Sequence, residues 1–275
     1  MNRIEKYWEL ETSIVTWIQN YVIANPSVKS LVVGVSGGID SAVVSTLCAE
    51  TGLPTYVLSM PLLSSHDNDK LSDSHTKWLE EKYQNVTRVR IELSSVYEKF
   101  MQSFGWWTDK EFTSSELANA NTKSRIRMIT LYQVAGSKNG IVVGTGNKVE
   151  DYGVGFYTKY GDGGVDIAPI ADLYKTEVWE LGKHLGIDQR IIDAPPTDGL
   201  WADSRTDESQ IGTTYEMLEW VMESGIFNSP LATPETLTQW KGEPITEEQR
   251  QAIIQYHKFN NQNRHKMEPI PTFKL

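Results

Sequence analysis

The chain has 275 residues, and its 26 Lys and Arg stand against 36 Asp and Glu, which gives a formal net charge of −10 at pH 7. This balance argues against nonspecific nucleic-acid binding, because affinity for a polyphosphate backbone comes mainly from Lys and Arg. The one cysteine, Cys48, excludes an intramolecular disulfide, and no stretch approaches the ~20 apolar residues that span a membrane, so we expect a soluble, cytoplasmic protein.

Predicted helices and strands alternate along the first half of the chain. Apolar residues recur at helical spacing from Ile4 to Val22, and the pair Asn25 and Pro26 ends that helix. Further helices are predicted over residues 40–50, 69–83, 96–103 and 116–135, and strands over residues 31–35, 55–60, 86–93 and 141–144. Short β-branched strands of this kind are typical of a parallel sheet buried on both faces. The alternation predicts an α/β fold with a doubly wound, mainly parallel sheet flanked by helices.

The second half of the chain is less regular. Helices are predicted over residues 173–185, 215–222 and 247–260. A Gly- and aromatic-rich segment precedes the first of them, and a long polar segment beginning at Pro195 follows it. Long irregular segments in compact domains are usually functional or mobile.

The hexapeptide SGGIDS, residues 36–41, joins the first strand to the next helix. Ligands of parallel sheets bind beyond the carboxyl ends of strands, where a helix start directs free N–H groups at an anion. Paired glycines admit phosphate oxygens, and the carboxylate of Asp40 calls for a cation, for which Mg²⁺ is the natural choice. The alternative is a tight turn in which Asp40 is an ordinary helix-start residue.

SGGIDS resembles the pyrophosphate-binding loop of the N-type ATP pyrophosphatases. Later blocks resemble the ammonia-dependent NAD synthetases of that superfamily, and they occur in family order: residues 121–128, 144–150 and 156–166, then Pro195-Pro196-Thr197 and His265-Lys266. The match spans about the whole chain, so we expect a single NAD synthetase domain over residues 1–275. The resemblance implies an adenine nucleotide alpha hydrolase-like fold.

The resemblance also implies a reaction and its residues. Members of the family adenylate the nicotinate carboxylate of deamido-NAD with ATP, and ammonia then displaces AMP. The matching ATP contacts are Gly34, Val35, Ser36, Gly37, Gly38, Ile39, Asp40, Ser41, Thr145, Lys175 and Thr197, with Asp40 and Lys175 also catalytic; the magnesium ligands are Asp40 and Glu150; the deamido-NAD contacts are Arg125, Lys159, Asp166, His265 and Lys266. Lys175 lies near a helix start, where a cation is unfavourable, so we expect an anion beside it.

The resemblance also implies a homodimer with deamido-NAD bound across the interface. The sequence is compatible with a dimer, since the N-terminal helix and the segment from Ile126 to Tyr132 carry more large apolar residues than water-facing helices need. Their packing on the chain's own sheet is the alternative. We expect free ammonia as nitrogen donor, since no second domain or suitable cysteine provides glutamine hydrolysis.

Some positions depart from the family pattern. One extra residue lies between Glu150 and Lys159 relative to many members, which leaves Asp151 as the alternative metal ligand. Arg125 and Arg127 lie on different faces of a helix, and Arg125 is preferred. Ser59 stands where many members have an arginine and Ser65 where some have a glutamine, so adenine contacts are not assigned there. The pair Trp106 and Trp107 also remains unassigned.

The polar segment from Thr197 to Ile211 is predicted to be a lid. It carries four acidic residues and little apolar content, so we expect it to be mobile without ligands and ordered with them, with Thr197 at its hinge. Two alternative functions stay open: another ATP pyrophosphatase, GMP-forming or tRNA-modifying, and a nonenzymatic adenine-nucleotide sensor.

Overall fold

A computed structural model describes residues 4–63, 66–104, 114–197, 199–201, 205–228 and 238–274. The first half of these residues alternates helix and strand, in the order α1 (Tyr7–Ala24), β1 (Ser30–Gly34), α2 (Ile39–Glu50), β2 (Thr55–Ser59), α3 (His66–Lys82), β3 (Val86–Arg90), α4 (Ser94–Gln102), α5 (Glu116–Ser137) and β4 (Gly140–Val142). The second half contains a π-helix (Lys148–Val154), α6 (Lys175–His184), α7 (Gln189–Ile192), α8 (Asp207–Ile211), α9 (Tyr215–Ser224), a 3₁₀ turn (Ile226–Asn228), β5 (Gln239–Trp240), β6 (Glu243–Pro244) and α10 (Glu247–Met267).

The four strands of the first half form one parallel sheet in the order β3-β2-β1-β4. Alternate β1 residues point to opposite faces: Val33 packs with Leu47 of α2 and Leu181 of α6, whereas Val32 packs in a cluster with Ala135 of α5. Burial on both faces explains why β1 has no polar side chain between Leu31 and Val33. The predicted doubly wound α/β fold is confirmed.

A second apolar cluster lies around α9 and α10. Tyr215 and Leu218 of α9 pack there with Ile253 of α10 and with Val149 of the π-helix. Trp179 of α6 packs against this cluster and also against the sheet cluster. The helix α6 therefore joins the two cores, and its first residue lies where they meet.

Several boundaries differ from the sequence expectation. The third strand ends at Arg90, and α10 continues to Met267 beyond the predicted end at residue 260. The π-helix, α7, α8 and the β5–β6 hairpin are not predicted, because short or widened turns leave no usable periodicity. Across the part of the chain described, no helix is long and apolar enough to cross a membrane.

Candidate active site

The loop after β1 has a conformation that depends on its glycines. Gly37 has φ of +94°, and a Cβ there would lie 2.6 Å from the carbonyl oxygen of Asn68. The hydroxyl of Ser41 holds the loop together: its Oγ accepts from the Ser36 N–H at 3.1 Å and donates to the Gly38 carbonyl at 2.9 Å. The loop is thus shaped by its own serines and has no room for a side chain at its tightest point.

The start of α2 faces a cavity. Gly38 is the N-cap residue and supplies no side-chain cap, so the first-turn N–H groups of α2 keep their positive end for an anion. Residues 34–41 all line a cavity of about 260 Å³. This arrangement suits a phosphate group, as predicted from the hexapeptide.

Three charged side chains meet at the cavity floor, and we call Asp40, Glu150 and Lys175 the acid–lysine centre. Nζ of Lys175 lies 2.6 Å from Oδ2 of Asp40 and 2.9 Å from Oε1 of Glu150. The lysine is buried, with 2% of its side chain exposed, and the carboxylates are 18% and 16% exposed. Two carboxylates, those of Asp40 and Glu150, therefore provide the anion expected beside Lys175.

The electrostatics of the acid–lysine centre follow from burial and pairing. Burial alone lowers the pKa of Lys175, but the two carboxylates outweigh it and hold the pKa above the ordinary value. Burial raises the pKa of Asp40. Burial also acts to raise the pKa of Glu150, yet the Lys175 cation and the Tyr215 hydroxyl outweigh it, so that this pKa is lowered. Lys175 is charged at any pH that the protein tolerates.

Helix packing brings Lys175 to Asp40. A Cβ on Gly182 of α6 would lie 2.6 Å from Cδ1 of Ile39, so only glycine lets α6 approach the start of α2 this closely. Lys175 is the first residue of α6, so the close approach of α6 to α2 also brings Lys175 to Asp40. Buried Glu219 accepts from the N–H of Thr176 at 2.9 Å and from its hydroxyl at 2.7 Å. This carboxylate offsets the positive end of the α6 dipole, which would otherwise disfavour a lysine.

Buried Asn147 links the two carboxylates of the centre. Its Nδ2 donates to Oδ1 of Asp40 at 3.1 Å, while its Oδ1 accepts from the N–H groups of Val149 and Glu150 at 3.1 Å. The same side chain thereby caps the π-helix and orients Asp40. The family block at residues 144–150 contains Asn147, but the sequence alone gives no role for it.

The π-helix, Lys148–Val154, extends into the interval where the sequence has one extra residue relative to many family members. Its wider turn ends at Gly155, with φ of +64°, and the carbonyl of Glu150 accepts from the N–H of Phe156 at 2.8 Å. Glu150 reaches Lys175, whereas Asp151 lies against Gly146 on the cavity wall. Burial and the neighbouring acids raise the pKa of Asp151 well above its ordinary value. A π-turn typically accommodates one additional residue in a helix.

Two further side chains adjoin the acid–lysine centre, and of these Asp207 also lines the cavity. The hydroxyl of Tyr215 donates to Oε1 of Glu150 at 2.6 Å and lies 3.3 Å from Oδ2 of Asp207. Burial and these carboxylates raise the pKa of Tyr215 well above its ordinary value, so the hydroxyl keeps its proton. No sequence motif singles out Tyr215 or Asp207. The contact of Tyr215 with Glu150, and that of Asp207 with Tyr215, arise only from tertiary packing.

The cavity wall contains most of the other predicted nucleotide residues. Thr145 and Thr197 line it together with Ser59. Arg127 also lines the cavity and donates to the carbonyl of Met60 at 3.3 Å, whereas Arg125 does not line it. Arg127 is therefore the member of the pair that faces this cavity, and the assignment of Arg125 to deamido-NAD stays a prediction.

The predicted deamido-NAD residues lie outside this cavity. Four of them form what we call the surface row: Arg125, Lys159, His265 and Lys266. Arg125 donates to the carbonyl of Lys159 at 3.3 Å, Nζ of Lys159 to the carbonyl of His265 at 2.9 Å, and Nζ of Lys266 to the carbonyl of Tyr157 at 2.6 Å. Each cation of the row thus binds a main-chain oxygen.

The fifth deamido-NAD candidate, Asp166, lies apart from the surface row. Its carboxylate accepts from the N–H of Val142 at 2.7 Å and from the hydroxyl of Tyr132 at 3.1 Å. It therefore sits at the β4 edge of the sheet, next to an exposed part of α5.

The predicted lid is partly described. Asp207–Ile211 forms α8, and buried Ile211 packs in the second apolar cluster. Near the cavity, Thr197 Oγ1 donates to the carbonyl of Arg205 at 3.1 Å. The C-terminal end of the segment therefore buries an apolar side chain, Ile211, although the segment as a whole has little apolar content. Residues 198, 202–204, Ser65, Trp106 and Trp107 lie outside the described residues.

Comparison with known proteins identifies the relatives of this chain. The model of the protein family described as NAD synthase matches residues 10–269 of this chain. An NH(3)-dependent NAD(+) synthetase of Carboxydothermus hydrogenoformans is 38% identical over 79% of this chain and 86% of its own length, and one of Methanosarcina mazei is 36% identical over 89% and 90%.

Solved structures agree with that assignment. An NMN synthetase from Francisella tularensis superposes with a TM-score of 0.81 and 29% identity, covering 99% of this chain and all (100%) of its own. An NH3-dependent NAD synthetase from Campylobacter jejuni, in complex with the nitrate ion, has a TM-score of 0.71 and 25% identity and covers 98% and 100%. On these sequence and structural grounds, the chain belongs to the NAD synthase family.

Proposed function

We propose that this chain amidates deamido-NAD to NAD⁺ with ATP and ammonia and releases AMP and pyrophosphate. The observation that carries the proposal is the acid–lysine centre, placed beside the helix start that follows β1. The curated relatives are ammonia-dependent NAD⁺ synthetases, which supports the same reaction. A nucleotide sensor would have no need to bury a lysine between two carboxylates at the phosphate-binding end of its cavity.

The reaction needs two displacement steps. A nicotinate carboxylate oxygen forms a bond to the α-phosphorus of ATP, and the bond from that phosphorus to the pyrophosphate oxygen breaks. The ammonia nitrogen then bonds to the acyl carbon, AMP leaves with the bonding electrons, and the nitrogen loses a proton. The loop of residues 36–41 would position phosphates, and Lys175 would offset their charge.

The donor set at the centre fits Mg²⁺, which we propose as the metal. Asp40 and Glu150 offer carboxylate oxygens, the ligands that Mg²⁺ accepts together with phosphates and water. Within the described ranges no group of three acidic, His or Cys side chains is placed to hold a metal, so phosphate oxygens would have to complete the coordination. Bound there, the ion would neutralise charge on the phosphates.

We further propose that the protein is a homodimer that binds deamido-NAD at its interface. On α5, Ile129 is 62% exposed and Tyr132 is 36% exposed, and Tyr132 contacts Asp166. Arg125 lies on the same exposed face. A partner chain covering this face would bury the apolar side chains and place the predicted deamido-NAD residues at the contact. Light scattering should give a dimer for the wild type and a monomer for Ile129→Glu.

Free ammonia is the proposed nitrogen donor. The one cysteine of the chain, Cys48, is buried, and burial raises the pKa of its thiol, so it cannot act as the nucleophile of glutamine hydrolysis. Incubation of the purified chain with glutamine instead of ammonia should give no NAD⁺. Amidation with glutamine alone would contradict this donor.

Nicotinate mononucleotide is a second candidate substrate. The structural similarity to the NMN synthetase of Francisella tularensis favours it, because nicotinamide mononucleotide is the amide of that acid. The two acids share the reacting carboxylate and differ in the adenylate half. The assay therefore compares both acids at equal concentration with ATP, Mg²⁺ and ammonia, and follows AMP release together with the amide product. Preference for deamido-NAD supports the main proposal; preference for the mononucleotide supports the second.

A closing segment belongs to the proposed mechanism. An acyl adenylate must be kept from water until ammonia arrives. Thr197, Gly199 and Leu200 line the cavity, and α8, which follows them in the chain, is anchored through Ile211. Hydrogen exchange should therefore show ligand-induced protection before residue 206 and little change within α8. Equal protection with and without both ligands would rule out the lid.

A further inference from the structure

Tyr215 connects three parts of the site that belong to different elements. It is the first residue of α9, fully buried, and its hydroxyl lies 2.6 Å from Glu150 and 3.3 Å from Asp207. Its ring lies beneath the ammonium of Lys175, which is 5.0 Å from the ring centroid. The edge contact with Trp179, at 5.9 Å and 83°, fixes the ring plane. A buried tyrosine with this set of neighbours has more specific contacts than core packing requires.

The hydroxyl has one proton for two carboxylates. A phenol donates one hydrogen bond at a time, and the shorter distance assigns that bond to Glu150. Oε1 of Glu150 therefore receives two donors, Nζ of Lys175 and the Tyr215 hydroxyl. Two converging donors restrict the rotation of a carboxylate that the backbone of the π-helix alone leaves adjustable.

Asp207 joins this arrangement to the edge of the cavity. Its N–H donates to the carbonyl of Pro196 at 3.0 Å, and Pro196 precedes Thr197 on the cavity wall. Asp207 is itself buried and lines the cavity. Tyr215 thus lies between the carboxylate of Glu150 and the segment that borders the nucleotide cavity.

We propose that Tyr215 is a positioning residue that holds the Glu150 carboxylate in the orientation needed to bind a divalent cation. The inference rests on the proposed function, because it assigns Glu150 to the metal. It predicts that the hydroxyl of Tyr215, and not its ring, determines how well the centre takes the cation.

The test removes that hydroxyl. Tyr215→Phe keeps the ring beneath Lys175, and Tyr256→Phe is the matched control, since Tyr256 is buried in the same apolar cluster at 4% exposure. Electron paramagnetic resonance measures Mn²⁺ binding to each protein in the presence of an ATP analogue with a methylene bridge between the α and β phosphates. Loss of a partner that orients a metal ligand typically costs about 10- to 100-fold in metal affinity or activity.

We expect Tyr215→Phe to weaken Mn²⁺ binding by about 10-fold or more and to lower kcat, with KM for the nicotinate substrate nearly unchanged. Tyr256→Phe should bind Mn²⁺ as the wild type does. Circular dichroism and the unfolding midpoint establish that each variant is folded. Wild-type Mn²⁺ affinity in folded Tyr215→Phe would overturn the inference.

A second variant separates the hydroxyl from a general change of charge. Asp172→Asn removes a negative charge at an exposed carboxylate that pairs with Lys148 outside the acid–lysine centre, so its Mn²⁺ affinity should stay close to that of the wild type. An equal loss in Asp172→Asn and Tyr215→Phe would contradict the role of the hydroxyl. Because the Mn²⁺ measurement uses no nicotinate substrate, failure of the wild type to form an amide contradicts the proposed function and leaves this inference to be decided by Mn²⁺ binding alone.

Discussion

The acid–lysine centre and the surface row both contain lysine, and they differ in how their cations are paired. In the centre, Lys175 is buried and bonded to two carboxylates. In the surface row, Arg125, Lys159 and Lys266 bond to main-chain carbonyls. A carbonyl carries no formal charge, so the cations of the row are balanced only by more distant groups, such as Asp151 and Asp162 acting on Lys266. We therefore expect the centre to suit a cation with a phosphate and the row to suit an anionic ligand.

The largest expected effect comes from changing a charge within the centre. Asp40→Asn removes a carboxylate that bonds Lys175 and lines the cavity, with little change in volume. We expect pyrophosphate release to fall by at least about 100-fold while the fold is retained.

Asp172→Asn is the matched control, because that carboxylate is 95% exposed and pairs with Lys148 outside the centre. It should release pyrophosphate at the wild-type rate. A near wild-type rate in Asp40→Asn would refute the role given to the centre.

The next effect tests whether the centre depends on helix spacing. In Gly182→Ala the new Cβ would meet Cδ1 of Ile39 at 2.6 Å, so α6 must move or Ile39 must repack. We expect a loss of about 1–3 kcal/mol in the free energy of unfolding, and lower activity because Lys175 moves with α6. Denaturant titration measures the first and the amidation assay the second.

The control for this helix substitution is Gly136→Ala in α5, where a Cβ would meet no atom within 4 Å. It should raise stability by about 0.5–1 kcal/mol, since alanine is the better helix former. Equal stability changes of the same sign in the two variants would show that helix spacing is not what Gly182 provides.

A pH prediction concerns the support beneath the nucleotide loop. His75 of α3 is buried with Nε2 at 3.1 Å from Oγ of Ser45 on α2, and burial lowers the pKa of His75 to about 4. Unfolded His75 binds a proton below its ordinary pKa of about 6.5, and folded His75 does not until about pH 4, so stability falls as pH drops through this window. The slope should approach about 1.4 kcal/mol per pH unit.

Denaturant titrations between pH 6.5 and pH 4.5 measure this slope. His75→Gln should reduce it, whereas His184→Gln, at a half-exposed histidine beside Glu11, should leave it in place. An unchanged slope in His75→Gln would assign the acid sensitivity to other groups. As the pH falls, we expect the loop of residues 36–41 to be perturbed at a higher pH than the surface row. The reason is that none of the described hydrogen bonds of the surface row involves α3.

The smallest effect is expected in the surface row. Arg125→Ala removes an exposed cation and should raise KM for deamido-NAD by about 10-fold, or about 1.4 kcal/mol, while KM for ATP stays constant. Arg264→Ala, which removes an exposed cation paired with Glu268, should change neither value. A rise in KM for ATP with Arg125→Ala would mean that the two regions are not separate.

Local patterns in the sequence predict the sheet, the loop after β1 and the pairing of Lys175. β1 is buried on both faces, so its apolar run is unambiguous, and the hexapeptide begins at its end, where a ligand can bind. Lys175 at a helix start signals a nearby anion, and Asp40 and Glu150 confirm it. These features depend on neighbours in the sequence or on one general property of helices.

Tertiary contacts are what the sequence could not provide. Tyr215, Asn147 and Glu219 act through partners far away along the chain, and their residue types are common in ordinary helices and caps. The choice between Arg125 and Arg127 depends on how α5 rotates against the sheet, which periodicity fixes only to within a residue. The roles of the deamido-NAD residues stay predictions, since none of these residues lines the described cavity.

The π-helix has a consequence for how length changes are tolerated in this chain. In an α-helix, one residue added after Glu150 would rotate everything that follows by about 100° relative to Glu150. A π-turn takes up an added residue by widening, and here the widened turn runs from its N-cap Asn147 to Gly155. We therefore expect that one residue can be gained or lost in this turn while Glu150 stays beside Lys175.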